Sequence, residues 1–420
     1  MSAADLQDTP DEAAFRAEVS AFLEARLERR GSDSRLSVMG SADDRVDEGR
    51  ALLAQLDQGG WAVPTWPAEH GGRAATATQA AIFHQELARF ETPDLYPFLV
   101  GISLVGPTVL THGTAGQQAR WLPGIRTGEE IWCQLFSEPN AGSDLAGLEA
   151  RATRDGDDWR VTGQKVWSSR AHYSDWGLLL ARTDPTVPKH AGISAFALDM
   201  RAPGVEVRPL RQMNGDAHFN EVFMTDAPVR DVDRVGDVGE GWRVAITTLM
   251  HERSAIGGGG GVTKARLIDL ARACGASDDP LVRQRLANVI SRMEVDRATA
   301  MRARAAMRAG RPPGPEGSGA KLRMGATLKA MADLALDLHG PGGVAFPAPP
   351  SGEQRGAAAG DNDWHRLFLT APSISIRGGT DEVQRNILGE RVLGLPSEPR
   401  PDKRVPFSPG ASDAGDEPSR

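Results

Sequence analysis

Apolar positions along the chain change period twice. Behind the acidic pair Asp11–Glu12, residues Phe15, Val19, Phe22, Leu23 and Leu27 recur at helical spacing, and acidic residues suit a helix N-terminus. A second helix is predicted over Val46–Leu56, and helical texture resumes from Thr76 to Arg89 and from Gly116 to Trp121. Between them, the Trp-, Pro- and Gly-dense stretch from Gly60 to Gly72 reads as a loop. After Ile131 the pattern shortens. Trp159–Ser169, Trp176–Arg182, Ile193–Met200, Val205–Arg211 and Asn220–Thr225 are strand-like runs separated by turn clusters such as Asp155-Gly-Asp-Asp158, which predicts a β domain of about 100 residues. From Trp242 the helical period returns. Leu281, Val282, Leu286, Val289, Ile290 and Met293 form one stripe, entered through Asp279-Pro280 and ended at Gly310. Helices follow over Lys321–Leu338 and Asp381–Leu393.

Helices, then strands, then helices predict an α+β chain and argue against a parallel-sheet nucleotide fold. The expected divisions are 1–130 (helical), 131–235 (β), 236–395 (a helical bundle) and a disordered tail over 396–420, which is rich in Pro, Ser, Gly and charge.

Composition narrows the classes. The chain has 420 residues, is 40% hydrophobic and carries 56 acids against 48 bases, a net charge of −8 that argues against nucleic acid as the main partner. No apolar run reaches the roughly 18 residues of a membrane span, and the polar, acidic start is unlike a signal peptide. Two cysteines, Cys133 and Cys274, are too few for a disulfide framework or a thiolate metal site, and the cytoplasm is the expected location. The phosphate-loop, dinucleotide-binding, nucleophile-elbow and zinc-protease motifs are all absent from the sequence. The glycine run Gly257–Gly261 follows a helical pattern rather than a strand, so it reads either as a helix break or as space cleared for a bulky substrate.

The most informative stretch is Trp132-Cys-Gln-Leu-Phe-Ser-Glu-Pro-Asn-Ala-Gly-Ser-Asp144: an apolar strand, a hydroxyl, a bend and a small-residue loop. With Gly163-Gln-Lys-Val-Trp-Ser-Ser169, Gly239-Glu-Gly-Trp242 leading into Met250-His-Glu-Arg253, and Gly378-Gly-Thr-Asp-Glu-Val-Gln-Arg385, it resembles the acyl-CoA dehydrogenase family in order and spacing. The resemblance covers roughly residues 10–395. It implies an N-terminal helical domain, a middle β-barrel or sandwich domain and a C-terminal four-helix bundle. It also implies FAD as cofactor, an acyl-CoA thioester as substrate and an electron-transfer flavoprotein as acceptor.

By motif position the resemblance implies that Leu135, Ser137, Trp167 and Ser169 lie against the flavin, with Thr380 on its opposite side and Glu382 also binding the cofactor. It places Ser143 against the thioester arm and Arg253 among the substrate-binding residues. Serine stands at two positions where the family more often has threonine, which keeps the donor and loses the methyl that fixes the rotamer. Many family members carry a glutamate base where this chain has Gly378. A second family pattern places the base on the first long helix of the C-terminal domain, just before an arginine, and Glu252-Arg253 fits it. Leu249, Glu252, Arg253 and Ile256 share one helical face, and apolar neighbours would raise a carboxylate's pKa towards the range of a useful base. A solvent-facing Glu252 paired locally with Arg253 is the alternative. Gly378 would keep the backbone N–H that binds the thioester carbonyl.

Two further departures concern the cofactor's adenine and pyrophosphate half. Leu270–Asp279 is shortened and lacks the family's phenylalanine, and Asp337-Leu-His-Gly-Pro-Gly-Gly343 alters its glutamine–glycine element. The chain thus reads as a homo-oligomer with rewired contacts or as one half of a heterotetramer with a related chain. A flavin-poor partner subunit and a flavin monooxygenase on the same fold stand as rival readings.

Overall fold

A computed structural model of the protein describes residues 8–30, 44–256, 263–310, 314–345, 363–400 and 405–407. Its internal contacts divide the chain into two units, one of residues 1–94 with 255–397, the other of residues 95–254 with 398–420.

The first unit is helical. Its N-terminal part holds α1 (Pro10–Glu24), α2 (Val46–Asp57) and α3 (Ala77–Leu87). Thr9 and Thr76 each cap a helix in a reciprocal box, with Glu12 and Gln79 reaching back to the cap backbone. Packed beneath them, Trp61 stacks on Phe83 with ring centroids 5.5 Å apart. Arg16 and Arg89 both bind the buried Glu86, at 2.8 and 2.6 Å, and Ser20 Oγ adds a third hydrogen bond at 2.8 Å.

The second unit runs through α4 (Tyr96–Leu99), α5 (Gly106–His112) and α6 (Ala115–Thr127) into the sheet. A π-helical turn over Val100–Val105 joins α4 to α5. The sequence reading named no helix here; Pro97, Gly101, Gly106 and Pro107 weaken helical propensity, but Phe98, Leu104, Val105 and Val109 are buried along the stretch, and burial of that apolar surface outweighs weak propensity. Eight strands follow: β1 (Trp132–Leu135), β2 (Arg151–Asp155), β3 (Asp158–Ser169), β4 (Trp176–Arg182), β5 (Ile193–Asp199), β6 (Val205–Leu210), β7 (Phe219–Val229) and β8 (Arg234–Val235). They form one sheet in the order β6-β7-β3-β2-β4-β5-β8, with β1 alongside β4. The β1–β4 pair is parallel and β3–β7 antiparallel. Trp159, Val161, Leu179, Phe196, Leu198 and Val222 fill the core on one side.

From this unit α7 (Gly241–Ile256) leads on to the remaining helices of the first unit: α8 (Lys264–Ala273), α9 (Pro280–Arg308), α10 (Ser318–Leu338), α11 (Asp363–Thr370) and α12 (Asp381–Arg391). The α9 stripe is buried at Leu286 and Val289 against Leu267, Met331, Leu334, Trp364 and Leu367. The sequence reading passed over α8, although Thr263 caps it and Leu267 and Ala271 share a face. The glycine run lies outside the described residues, apart from the helix that precedes it.

The tail departs from the expectation of disorder at one place. Pro406 bridges Pro188 in antiparallel sense, and the Phe407 N–H donates to the Val187 carbonyl at 3.0 Å. Among the described residues, no helix is long and apolar enough to cross a membrane.

Candidate active site

Three of the residues singled out from the sequence meet where β1 leaves the sheet beside the end of β3. The Val166 N–H donates to the Ser137 carbonyl at 2.9 Å, so the hydroxyl-bearing turn after β1 is fastened to β3. The pairing of β3 with β7 shifts register between Lys165 and Ser168, and Trp167 sits in that bulge with a φ of 61°. A non-glycine residue in left-handed backbone costs on the order of 1–2 kcal/mol, and bulges of this kind commonly aim a side chain away from the sheet. Here the indole is 61% exposed, touched edge-on by Phe219 with centroids 6.0 Å apart. Ser137 and Ser169 are half-buried. A flat, exposed indole with two nearby serine hydroxyls offers an apolar face and donors together, which fits the planar, hydrogen-bonding ring of a flavin.

Leu135 is fully buried within the sheet core. Ser143 is exposed on the loop between β1 and β2.

That loop is held by buried charge. Lys165, fully buried, donates to Glu138 Oε1 at 2.7 Å and to the Phe136 carbonyl at 3.0 Å. Glu138 in turn accepts from the Glu149 N–H at 2.6 Å and the Ala150 N–H at 2.9 Å, closing the loop base. Burial pushes the Lys165 ammonium below its usual range despite the attraction of Glu138. Further out, Lys189 Nζ pairs with Asp144 Oδ2 at 2.7 Å, next to Ser143. Arg182, 4% exposed, donates to the Ala146 and Leu148 carbonyls at 2.7 and 3.0 Å from one nitrogen. The sequence reading did not single out these fasteners. One signal was available: Lys165 lies in phase with the buried Trp159 and Val161 on β3, where a solvated lysine would not belong.

On α7, Val244, Ala245 and Thr248 are buried, and Glu252, one turn beyond Thr248, is half-buried. Thr248 Oγ1 lies 2.9 Å from Thr108 Oγ1, and Thr247 Oγ1 lies 2.8 Å from His112 Nε2, which fixes the helix to α5. The Arg253 side chain lies outside the described residues.

Gly378, Thr380 and Glu382 belong to the first unit. Gly378 and Gly379 have φ of 65° and 83°, and Gln384 Nε2 donates to the Gly378 carbonyl at 3.0 Å. Thr380 caps α12 by accepting the Val383 N–H, which leaves its own hydroxyl proton to donate elsewhere. Glu382 is exposed and pairs with Arg385 at 3.3 Å.

Family models match the acyl-CoA dehydrogenase N-terminal domain over residues 9–129, the middle domain over 133–227 and the C-terminal domain over 239–393. The chain belongs to the acyl-CoA dehydrogenase family. It is an oxidoreductase of the three-domain acyl-CoA dehydrogenase fold, and the family's cofactor is FAD. Acyl-CoA dehydrogenase IpdE1 of Mycobacterium tuberculosis is 40% identical over 394 residues, covering 91% of this chain and 98% of that protein. Its counterpart in Mycolicibacterium smegmatis is 38% identical over 401 residues, with the same coverage of 91% and 98%. Among solved structures, the Tcur3481-Tcur3483 steroid acyl-CoA dehydrogenase superposes with a TM-score of 0.75 at 28% identity, covering 94% of this chain and 100% of that one. The ChsE4-ChsE5 complex of Mycobacterium tuberculosis gives 0.71 at 29% identity, covering 93% and 99%.

Proposed function

We propose that this protein dehydrogenates an acyl-CoA thioester to the trans-2-enoyl-CoA, with Glu252 as the base. The reading rests on the exposed, left-handed Trp167 and its serine neighbours, which have no evident structural purpose without a planar ligand. FAD, when bound, supplies the acceptor for the hydride that leaves Cβ. The chain's own part is to position and to move a proton. Trp167 presents its face to the flavin ring, and Ser137, Ser169 and Thr380 donate hydrogen bonds to the cofactor. The N–H of Gly378 donates to the thioester carbonyl and so acidifies Cα; donors of this kind are often worth about 3–4 kcal/mol of barrier. Glu252 takes the α-proton, with Arg253 beside it, and Ser143 contacts the thioester arm.

The acyl group is bulky, in line with the glycine run after α7 and with the solved relative described as a steroid acyl-CoA dehydrogenase. The acceptor that reoxidises the flavin is an electron-transfer flavoprotein. A second reading has its own support: Gly378 replaces the common base, the 270–279 stretch is altered, and two similar solved structures, Tcur3481-Tcur3483 and ChsE4-ChsE5, carry the names of two chains. On that reading the chain supplies Glu252 within a heterotetramer and a related partner completes the cofactor site.

The test is Glu252→Gln, with the wild-type chain and the variant each purified alone and, if colourless, with a related partner chain. Anaerobic addition of steroid-derived and straight-chain acyl-CoAs should bleach the wild-type flavin. The variant should keep its flavin spectrum and fail to bleach. Bleaching by the variant at the wild-type rate removes Glu252 as base.

A further inference from the structure

We propose that the C-terminal segment Val405–Phe407 is a strap, and that Phe407 is a positioning residue for the Ser143-bearing loop, acting through Arg182. Placing that loop against the substrate arm rests on the function proposed above; the strap itself does not.

Arg182 is buried at the end of β4, and among the described residues its hydrogen bonds all run to backbone carbonyls: Nε to Leu148 at 3.1 Å, Nη2 to Ala146 and Leu148, and Nη1 to Lys189 at 3.0 Å. A single side chain therefore joins the loop after β1 to the loop after β4. The second of those loops also reaches the first directly, through Lys189 and Asp144. Burial lowers the guanidinium's pKa to about 10 although Glu138, Glu149 and Asp144 pull it upward. A desolvated cation of this kind gains from an aromatic face. Phe407 provides one, with its ring centroid 3.5 Å from the guanidinium carbon.

The ring is held there by backbone pairing. The Pro188–Pro406 bridge and the Phe407 N–H to Val187 carbonyl bond fasten the segment to the loop that carries Lys189. The strap, Arg182 and Lys189 thus form one assembly whose free end is the Ser143 loop. The aromatic is what ties the tail to function: a tail without it would pair with residues 187–188 and leave Arg182 uncovered.

The experiment compares the full chain with Phe407→Ala, Phe407→Leu and Phe407→Trp by hydrogen exchange of the native protein, followed by mass spectrometry. Phe407→Ala should speed exchange of the amides over 145–150 by about tenfold, with other strands unchanged. Phe407→Trp should restore protection because it keeps an aromatic face, whereas Phe407→Leu, apolar but without one, should not. Unchanged exchange over 145–150 in Phe407→Ala, or full rescue by leucine, overturns the strap. Steady-state kinetics then separate the two readings. A KM for acyl-CoA raised about tenfold with kcat and flavin content preserved supports both. Faster exchange with an unaltered KM upholds the strap and removes the Ser143 loop from the substrate arm.

Discussion

The Lys165–Glu138 pair should be strongly asymmetric when its members are replaced singly. Lys165 is fully buried, and its ammonium donates to Glu138 and to the Phe136 carbonyl. Glu138→Gln therefore leaves a buried ammonium with neutral partners only, which costs about 3–5 kcal/mol. Lys165→Met is milder, because Glu138 keeps two backbone N–H donors at 2.6 and 2.9 Å and stays hydrogen-bonded as an anion. We expect about 1–3 kcal/mol for it, from desolvation of a carboxylate that has lost one donor. The double variant, neutral and nearly isosteric, should be less destabilised than the sum of the singles by about 2 kcal/mol. In a thermal melt of the purified chain, Glu138→Gln should fall by about 10 °C and Lys165→Met by less than half of that. The cycle is read in urea, from the midpoint shift at constant slope. Additivity within about 0.5 kcal/mol, or Lys165→Met being the worse single variant, would refute the claim that an unpaired buried charge dominates.

Acidification should unfasten the first unit at Glu86. Burial raises that carboxyl's pKa, but hydrogen bonds from Arg16, Ser20 and Arg89 more than offset this and hold it below the ordinary 4.5. Since the folded value is the lower one, the contribution to stability is present above pH 4.5 and is lost as pH falls through the folded value. Melting temperature measured from pH 7 to 3 should therefore drop more steeply for wild type than for Glu86→Gln, and parallel curves would count against it. Trp167→Asn keeps a residue tolerant of left-handed backbone and deletes the indole. Stability should change by less than about 1 kcal/mol while flavin retained on purification falls, and full flavin content would remove Trp167 from the cofactor site.

The segments that carry the candidate site stand out in the chain because they sit in unusual local chemistry. Trp167 lies near the end of a run that reads as a strand from its local pattern, whereas the bulge that exposes it came only with the pairing to β7. The α9 stripe and its Asp279-Pro280 entry were local. What escaped the sequence depended on tertiary surroundings. Lys165, Glu138 and Arg182 look like surface charges until the strands around them bury them. Residues 96–112 carry two prolines and two glycines, and form a helix because packing outweighs propensity. Phe407 is a single aromatic in a stretch of low-complexity composition, and its value lies in an arginine 225 residues earlier.

The backbone at Gly378 bears on where the base has gone. Gly378 and Gly379 are both left-handed, and a Cβ on Gly379 would come within 2.6 Å of Gln384 Nε2. A glutamate at 378 would have to adopt the conformation that costs about 1–2 kcal/mol for an L-residue, with its carboxylate aimed by a turn that glycine alone adopts freely. The left-handed turn favours glycine at 378, with Gln384 bonding the Gly378 carbonyl to fix the peptide that follows. On the proposed reading this makes the division of labour hard to reverse. The turn keeps a backbone donor for the thioester carbonyl, and the proton must be taken from elsewhere. On the same proposal, the half-buried Glu252 on α7 is what takes it.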